Sequence, residues 1–130
     1  MNSSPRNERL LTLIGMRDAP LTVTTSNGKG EGVVILALNG PLTLPNIFAF
    51  QEKVAQLEPK VLIVDLTGLP YMDSAGLGSL MNGYVHAQKA GRRLVLAGAN
   101  ERVKALLELT KVDLILKNYA TVAEAEAAVS

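Results

Sequence analysis

A single α/β domain built on a mixed sheet is the fold this sequence predicts, and three observations carry that prediction. Two nearly unbroken apolar runs, Val33–Leu38 (VVILAL) and Val61–Leu66 (VLIVDL), read as strands covered on both faces. Between and after them, apolar residues recur at helical rather than alternating spacing. The joints are short and marked by Pro or Gly, so each strand–helix–strand passage should close as a right-handed parallel unit.

The elements follow in order. Met1 to Asp18 is polar and then mildly apolar, and is expected to be an N-terminal extension, disordered at its start, with the domain at 19–130. Leu21–Thr25 alternates apolar and β-branched residues, as in a half-buried strand. Ser26–Gly32 (SNGKGEG) is a flexible hairpin connection, rich in residues that tolerate positive φ, so Leu21–Thr25 becomes an antiparallel edge. Pro45 suits a first helical turn, and Ile47, Phe50, Val54 and Leu57 recur at helical spacing until Pro59 stops the run. After Val61–Leu66 comes a loop, Gly68–Asp73, with Ser74 at the expected N-cap of the next helix. That helix carries Leu77, Leu80, Met81, Tyr84 and Val85 on one stripe and ends at Gly91. Leu94–Ala97 reads as a further parallel strand. Asn100 can cap a helix burying Val103, Leu106, Leu107 and Thr110. Leu114–Leu116 reads as a short last strand. Thr121 and Glu124 can form a capping box for an Ala-rich helix ending near Val129. The predicted order is β-β-α-β-α-β-α-β-α, one mixed sheet with one antiparallel edge strand and helices packed on it.

Composition narrows the function. The 130 residues hold 13 Lys+Arg against 12 Asp+Glu, a net charge of +1, which gives no basic stripe for nucleic acid. Three Tyr and two Phe are too few for a base-stacking platform. With no Cys and one His, there is no disulfide, no thiolate nucleophile and no multi-His or Cys zinc site. No apolar run approaches the roughly 18–20 residues that span a bilayer, and the first residues lack a secretory core. A cytoplasmic domain is the expectation.

The informative stretch is Asp65–Gly78 (DLTGLPYMDSAGLG), from the carboxyl end of a buried strand into a helix start, where ligand and partner chemistry collects in α/β sheets. A serine hydrolase would need Gly two residues before Ser74, where Met72 stands. Its base would have to be His86, which twelve helical residues place about 18 Å away. Gly28-Lys29-Gly30 lies between strands and lacks the Lys-Ser/Thr pair of a phosphate-binding loop. A receiver-like phosphoacceptor at Asp65 would need further carboxylates for Mg²⁺, and neither preceding strand ends in one. Asp65 is instead expected to bond loop N–H groups nearby.

Opposite the apolar stripe of the helix after Ser74 lie Ser79, Asn82, Gly83 and His86, with Gly78 on the flank. Interior glycines cost about 1 kcal/mol each relative to Ala, and a solvated face prefers Glu, Lys or Gln. Close approach by another chain and packing inside the fold each account for such small residues, and the sequence leaves both open. Ser74 itself can be a helix cap or something more. His86 reads as an exposed helical residue.

YMDSAGLGSL, preceded by VLIVDLTGL, resembles the signature of bacterial anti-sigma-factor antagonists, members of the STAS domain family. Gly91–Gly98, Glu101–Leu109 and Val112–Leu116 are similar to the family too, so the resemblance spans about Leu21–Val129. It implies a non-enzymatic binding module without a cofactor or metal. Ser74 would be the residue phosphorylated by a partner that is both anti-sigma factor and serine kinase, with Asp73 as its flanking acid. Ala75, Gly76, Leu77 and Gly78 would form the helix start beside the partner, joined by Ser79, Asn82, Gly83 and His86. The unphosphorylated form would bind the kinase and free the sigma factor, and a metal-dependent Ser/Thr phosphatase would reset the switch. No nucleic-acid or membrane partner is implied. The sequence departs from the family pattern at Gly40-Pro41-Leu42-Thr43, where Thr43 replaces an expected acid, and in its long hairpin and N-terminal extension. Related domains also serve as scaffolds or regulate transporters without a phospho-switch.

Overall fold

The computed structural model describes residues 19–129, and the expected N-terminal extension lies outside the described residues. Five strands form one sheet in the order β1-β2-β3-β4-β5: Thr22–Asn27, Val33–Asn39, Val61–Gly68, Arg93–Ala97 and Asn118–Tyr119. β1 pairs antiparallel with β2, and every later pair is parallel. Among the described residues four α-helices accompany them: α1 (Ile47–Gln56), α2 (Ser74–Lys89), α3 (Glu101–Leu109) and α4 (Val122–Val129).

Each parallel crossover steps the chain one strand in the same direction. Right-handed connections of that kind carry α1, α2 and α3 to one face of the sheet. The period-two alternation of the strands serves both layers. Leu36, Leu38, Leu62, Val64, Leu66, Leu94 and Leu96 point toward Phe50, Leu80, Val103 and Leu107 of those helices. Val33, Val61, Ile63, Val95 and Ala97 point the other way, under Ala125 of α4. Among the described residues the strand order never reverses, so this sheet has no switch point of the doubly wound kind.

The hairpin is shorter and better held than the sequence suggests. β1 runs on to Asn27, Gly28 N–H donates to the Val33 carbonyl at 2.8 Å, and Lys29 N–H donates to Glu126 Oε2 of α4 at 2.7 Å. The last strand is also displaced. Lys111 turns the chain out of α3 with φ 65°, and a 3-10 turn takes up Val112–Leu114. Leu116 N–H then donates to the Val112 carbonyl at 2.8 Å, and only Val112 and Leu116 of this apolar run are buried. Leu114 and Ile115 face outward, and pairing with β4 begins at Asn118. Thr110, expected on the buried face, is exposed at the C-cap of α3, its hydroxyl donating to the Leu106 carbonyl.

Candidate functional site

The loop from β3 to α2 starts with an irregularity. Ala37 pairs with Asp65 but Asn39 pairs with Gly68, so β3 carries one extra residue there. Asp65 Oδ1 compensates by accepting from both Thr67 N–H (3.0 Å) and Thr67 Oγ1 (2.6 Å), the local bonding the sequence led us to expect. The loop is then clamped from two sides. Asn100 caps α3 by accepting from Val103 N–H at 2.8 Å, while its Nδ2 donates to the carbonyls of Leu69 and Pro70. On the other flank Leu42 and Met72 form a parallel bridge, with Leu42 N–H donating to Tyr71 O and Asp73 N–H to Leu42 O.

Asp73, not Ser74, is the N-cap of α2. Its backbone is extended (φ −98°, ψ −174°) and Oδ1 accepts from Gly76 N–H at 2.8 Å. A carboxylate at this position meets both an unpaired N–H and the positive end of the helix dipole, so it displaces the hydroxyl of its neighbour as cap. Oδ2 accepts from Leu44 N–H at 3.1 Å, across to the loop before α1. Ser74 is thereby left as the first residue of α2, exposed, with its hydroxyl making no hydrogen bond to the described residues.

The small residues divide into two groups. A Cβ on Gly76 would land on the Leu42 carbonyl oxygen, so the first turn of α2 lies directly against that backbone. A Cβ on Gly83 would sit 3.3 Å from Leu94 Cδ1, close to Val54 of α1. Ser79 is 2% exposed and donates to the Gly76 carbonyl at 2.7 Å. Ser79 and Gly83 therefore do not share an outward face with Asn82 and His86, as the helical wheel suggested, and Gly76 is buried with them. They belong to the buried side, with Leu77, Leu80 and Ala87, while Val85 of the expected stripe is exposed. Packing inside the fold accounts for Gly76 and Gly83. Gly78 differs, because a Cβ there would meet nothing within 4 Å. Asn82 and His86 remain on the surface, at the rim of a groove of about 200 Å³ between α1 and α2, floored by Phe50, Val54 and Ser79.

Thr43, at the position of the missing acid, is fully buried, and its carbonyl accepts from Asn46 N–H at 2.8 Å. Next to it stand two residues the sequence reading passed over. Leu44 and Phe48 are 54% and 71% exposed, on the segment that Asp73 Oδ2 holds. For Phe48 the signal was its position off the Ile47-Phe50-Val54-Leu57 stripe, whereas Leu44, three residues before Ile47, keeps the spacing of the stripe and gave none.

A family model described as the STAS domain matches residues 24–125. The chain belongs to the STAS domain family. Among relatives of this STAS domain, a provisionally named anti-sigma factor antagonist of Thermotoga neapolitana is 34% identical over 100 residues, 73% of this chain and 88% of its own. An anti-sigma-B factor antagonist of Listeria monocytogenes is 33% identical over 75 residues, 58% of this chain and 66% of its own. An anti-sigma factor antagonist from Mycobacterium paratuberculosis has the same fold, with a TM-score of 0.76 at 20% identity over 84% of this chain and 93% of its own. Within the STAS family, then, the chain is similar to the anti-sigma factor antagonists over most of its length. No helix among the described residues is long and apolar enough to cross a membrane.

Proposed function

We propose that this STAS domain is a cytoplasmic, non-enzymatic anti-sigma-factor antagonist switched by phosphorylation of Ser74. Unphosphorylated, it binds an anti-sigma factor that is also a serine kinase and frees the sigma factor for transcription. Phosphorylated, it lets that partner go, and a metal-dependent Ser/Thr phosphatase returns it to the binding form. The observation that carries this reading is the setting of Ser74, an exposed hydroxyl on the first turn of α2 beside backbone held on both flanks. Such a hydroxyl can enter a kinase site without any rearrangement of the sheet. Transfer forms the Oγ–P bond, gives up the hydroxyl proton and leaves the nucleoside diphosphate on the kinase.

The phosphate adds about −1.5 to −2 charge at neutral pH. At a helix N-terminus that charge is locally favourable, so the domain keeps its fold. Binding suffers instead, because a hydrated dianion has to be desolvated against the partner. A loss of about 1.4–2.8 kcal/mol weakens the complex ten- to a hundred-fold. Ser74, Asp73, Ala75, Gly78, Asn82 and His86 supply the contact surface, and Gly76, Ser79 and Gly83 support it from beneath.

The buried Thr43 favours a second reading, a scaffold or transporter-regulating STAS domain without a phospho-switch, since the acid expected beside the acceptor loop is replaced. Affinity capture from the native host's lysate separates the two, using wild type, Ser74→Ala and Ser74→Glu as baits. The switch predicts a kinase-fold ATPase held by wild type and Ser74→Ala and lost with Ser74→Glu. Equal capture of one partner by all three baits makes the domain a scaffold.

A further inference from the structure

We infer that Asp73 carries the effect of a phosphate on Ser74 to the surface segment bearing Leu44 and Phe48. The inference rests on the phosphoacceptor role proposed for Ser74 and names how that site is coupled to the rest of the surface. One Asp73 oxygen closes the first turn of α2 at Gly76 N–H, 2.8 Å away, and the other holds Leu44 N–H at 3.1 Å. Leu44 opens the 3-10 turn Leu44–Asn46 that leads into α1. One helical turn further, Phe48 is 71% exposed, and Leu44 itself is 54% exposed. A single carboxylate therefore fixes both the start of the acceptor helix and the segment that carries this exposed apolar pair.

A phosphoserine next to this carboxylate places two anions on adjoining residues, and like charges so close disfavour each other. Both draw on the few N–H donors at the start of α2. Gly76 N–H lies inside that helix start and keeps an anionic acceptor whichever group supplies it. Leu44 N–H lies outside the helix, on another loop, already at 3.1 Å from Asp73 Oδ2, so a turn of the carboxylate away from the phosphate lengthens that bond. The bond to Leu44 is the one released. Phosphorylation then loosens the segment that bears Leu44 and Phe48 as well as adding a charge.

The test needs no kinase, because phosphoserine can be installed at position 74 during translation. Amide spectra of the ¹⁵N-labelled chain, with and without the phosphate, report Leu44 directly. In the modified chain the Leu44 amide proton should move upfield and exchange with solvent about ten-fold faster, while sheet amides such as Val64 and Leu96 keep their protection. On an Asp73→Asn background Oδ1 can still cap Gly76, but the amide nitrogen is a donor and cannot accept from Leu44 N–H, so Leu44 starts released and the same modification should leave it unmoved. An unchanged Leu44 amide in the phosphorylated wild-type sequence overturns the inference. So does an equal Leu44 response in Asp73→Asn. Both readings come from the isolated chain, so they stand apart from partner capture. A chain that shows the Leu44 response yet captures no kinase supports the coupling and sinks only the switch proposed above.

Discussion

The Asp73 carboxylate and the Leu44 backbone N–H lie 29 residues apart in sequence and 3.1 Å apart in space. Together with the Leu42–Met72 bridge, this contact joins the loop after β2 to the loop after β3 beyond the end of their regular pairing. The site is therefore a continuation of the sheet, stiffened by backbone and side-chain bonds, while the Ser74 hydroxyl makes no hydrogen bond to the described residues.

Removing the carboxylate should cost stability from two bonds at once. Asp73→Ala loses a helix N-cap, worth about 1–2 kcal/mol, and also frees Leu44 N–H. Asp73→Asn keeps a capping oxygen and should lose less than half as much. Urea denaturation checks this through the transition midpoint at constant slope. An Asp73→Ala midpoint equal to wild type would show that the cap does not hold this loop.

Two glycines two residues apart should respond with opposite signs. Ala is a better helix former than Gly by about 1 kcal/mol, and at Gly78 the added methyl enters open space. Gly78→Ala should stabilise the domain by about 0.5–1 kcal/mol. At Gly76 the methyl meets the Leu42 carbonyl oxygen, so Gly76→Ala should destabilise by about 1–3 kcal/mol or more, as overpacking does. Thermal melts of the two variants decide it, and a stabilised Gly76→Ala would contradict the packing described here.

Ser74 should be silent in stability and audible only in binding. Ser74→Ala removes an exposed hydroxyl with no bond to the described residues, and should lie within about 0.5 kcal/mol of wild type. Ser74→Glu adds a charge at the favourable end of α2 and should be neutral to about 1 kcal/mol stabilising at low salt. Denaturant midpoints test both. A strongly destabilised Ser74→Glu would mean that its failure to capture a partner reports unfolding rather than a switch.

Sequence by itself determined the α/β class, the antiparallel edge and the position of four helices. Those features rest on the local periodicity of residues such as Val61–Leu66 and Leu77-Leu80, which needs no knowledge of distant neighbours. It also marked Asp65–Gly78 as the informative stretch, because a strand end running through Pro and Gly into a helix start is a local pattern. Tertiary structure decided the rest. Asp73 is the cap because Leu44 N–H and Gly76 N–H converge on its two oxygens, and only the folded chain brings Leu44 there. Gly76 and Gly83 face inward because Leu42 and α1 with β4 press against them, and for Gly83 the wheel of α2 alone had inverted this. Leu114–Leu116 looked like a strand because it is apolar, but Lys111 turns the chain and burial selects only Val112 and Leu116. For Asp73, Gly76 and Gly83 the deciding partner lies on another segment, and close packing rather than local preference chose the outcome.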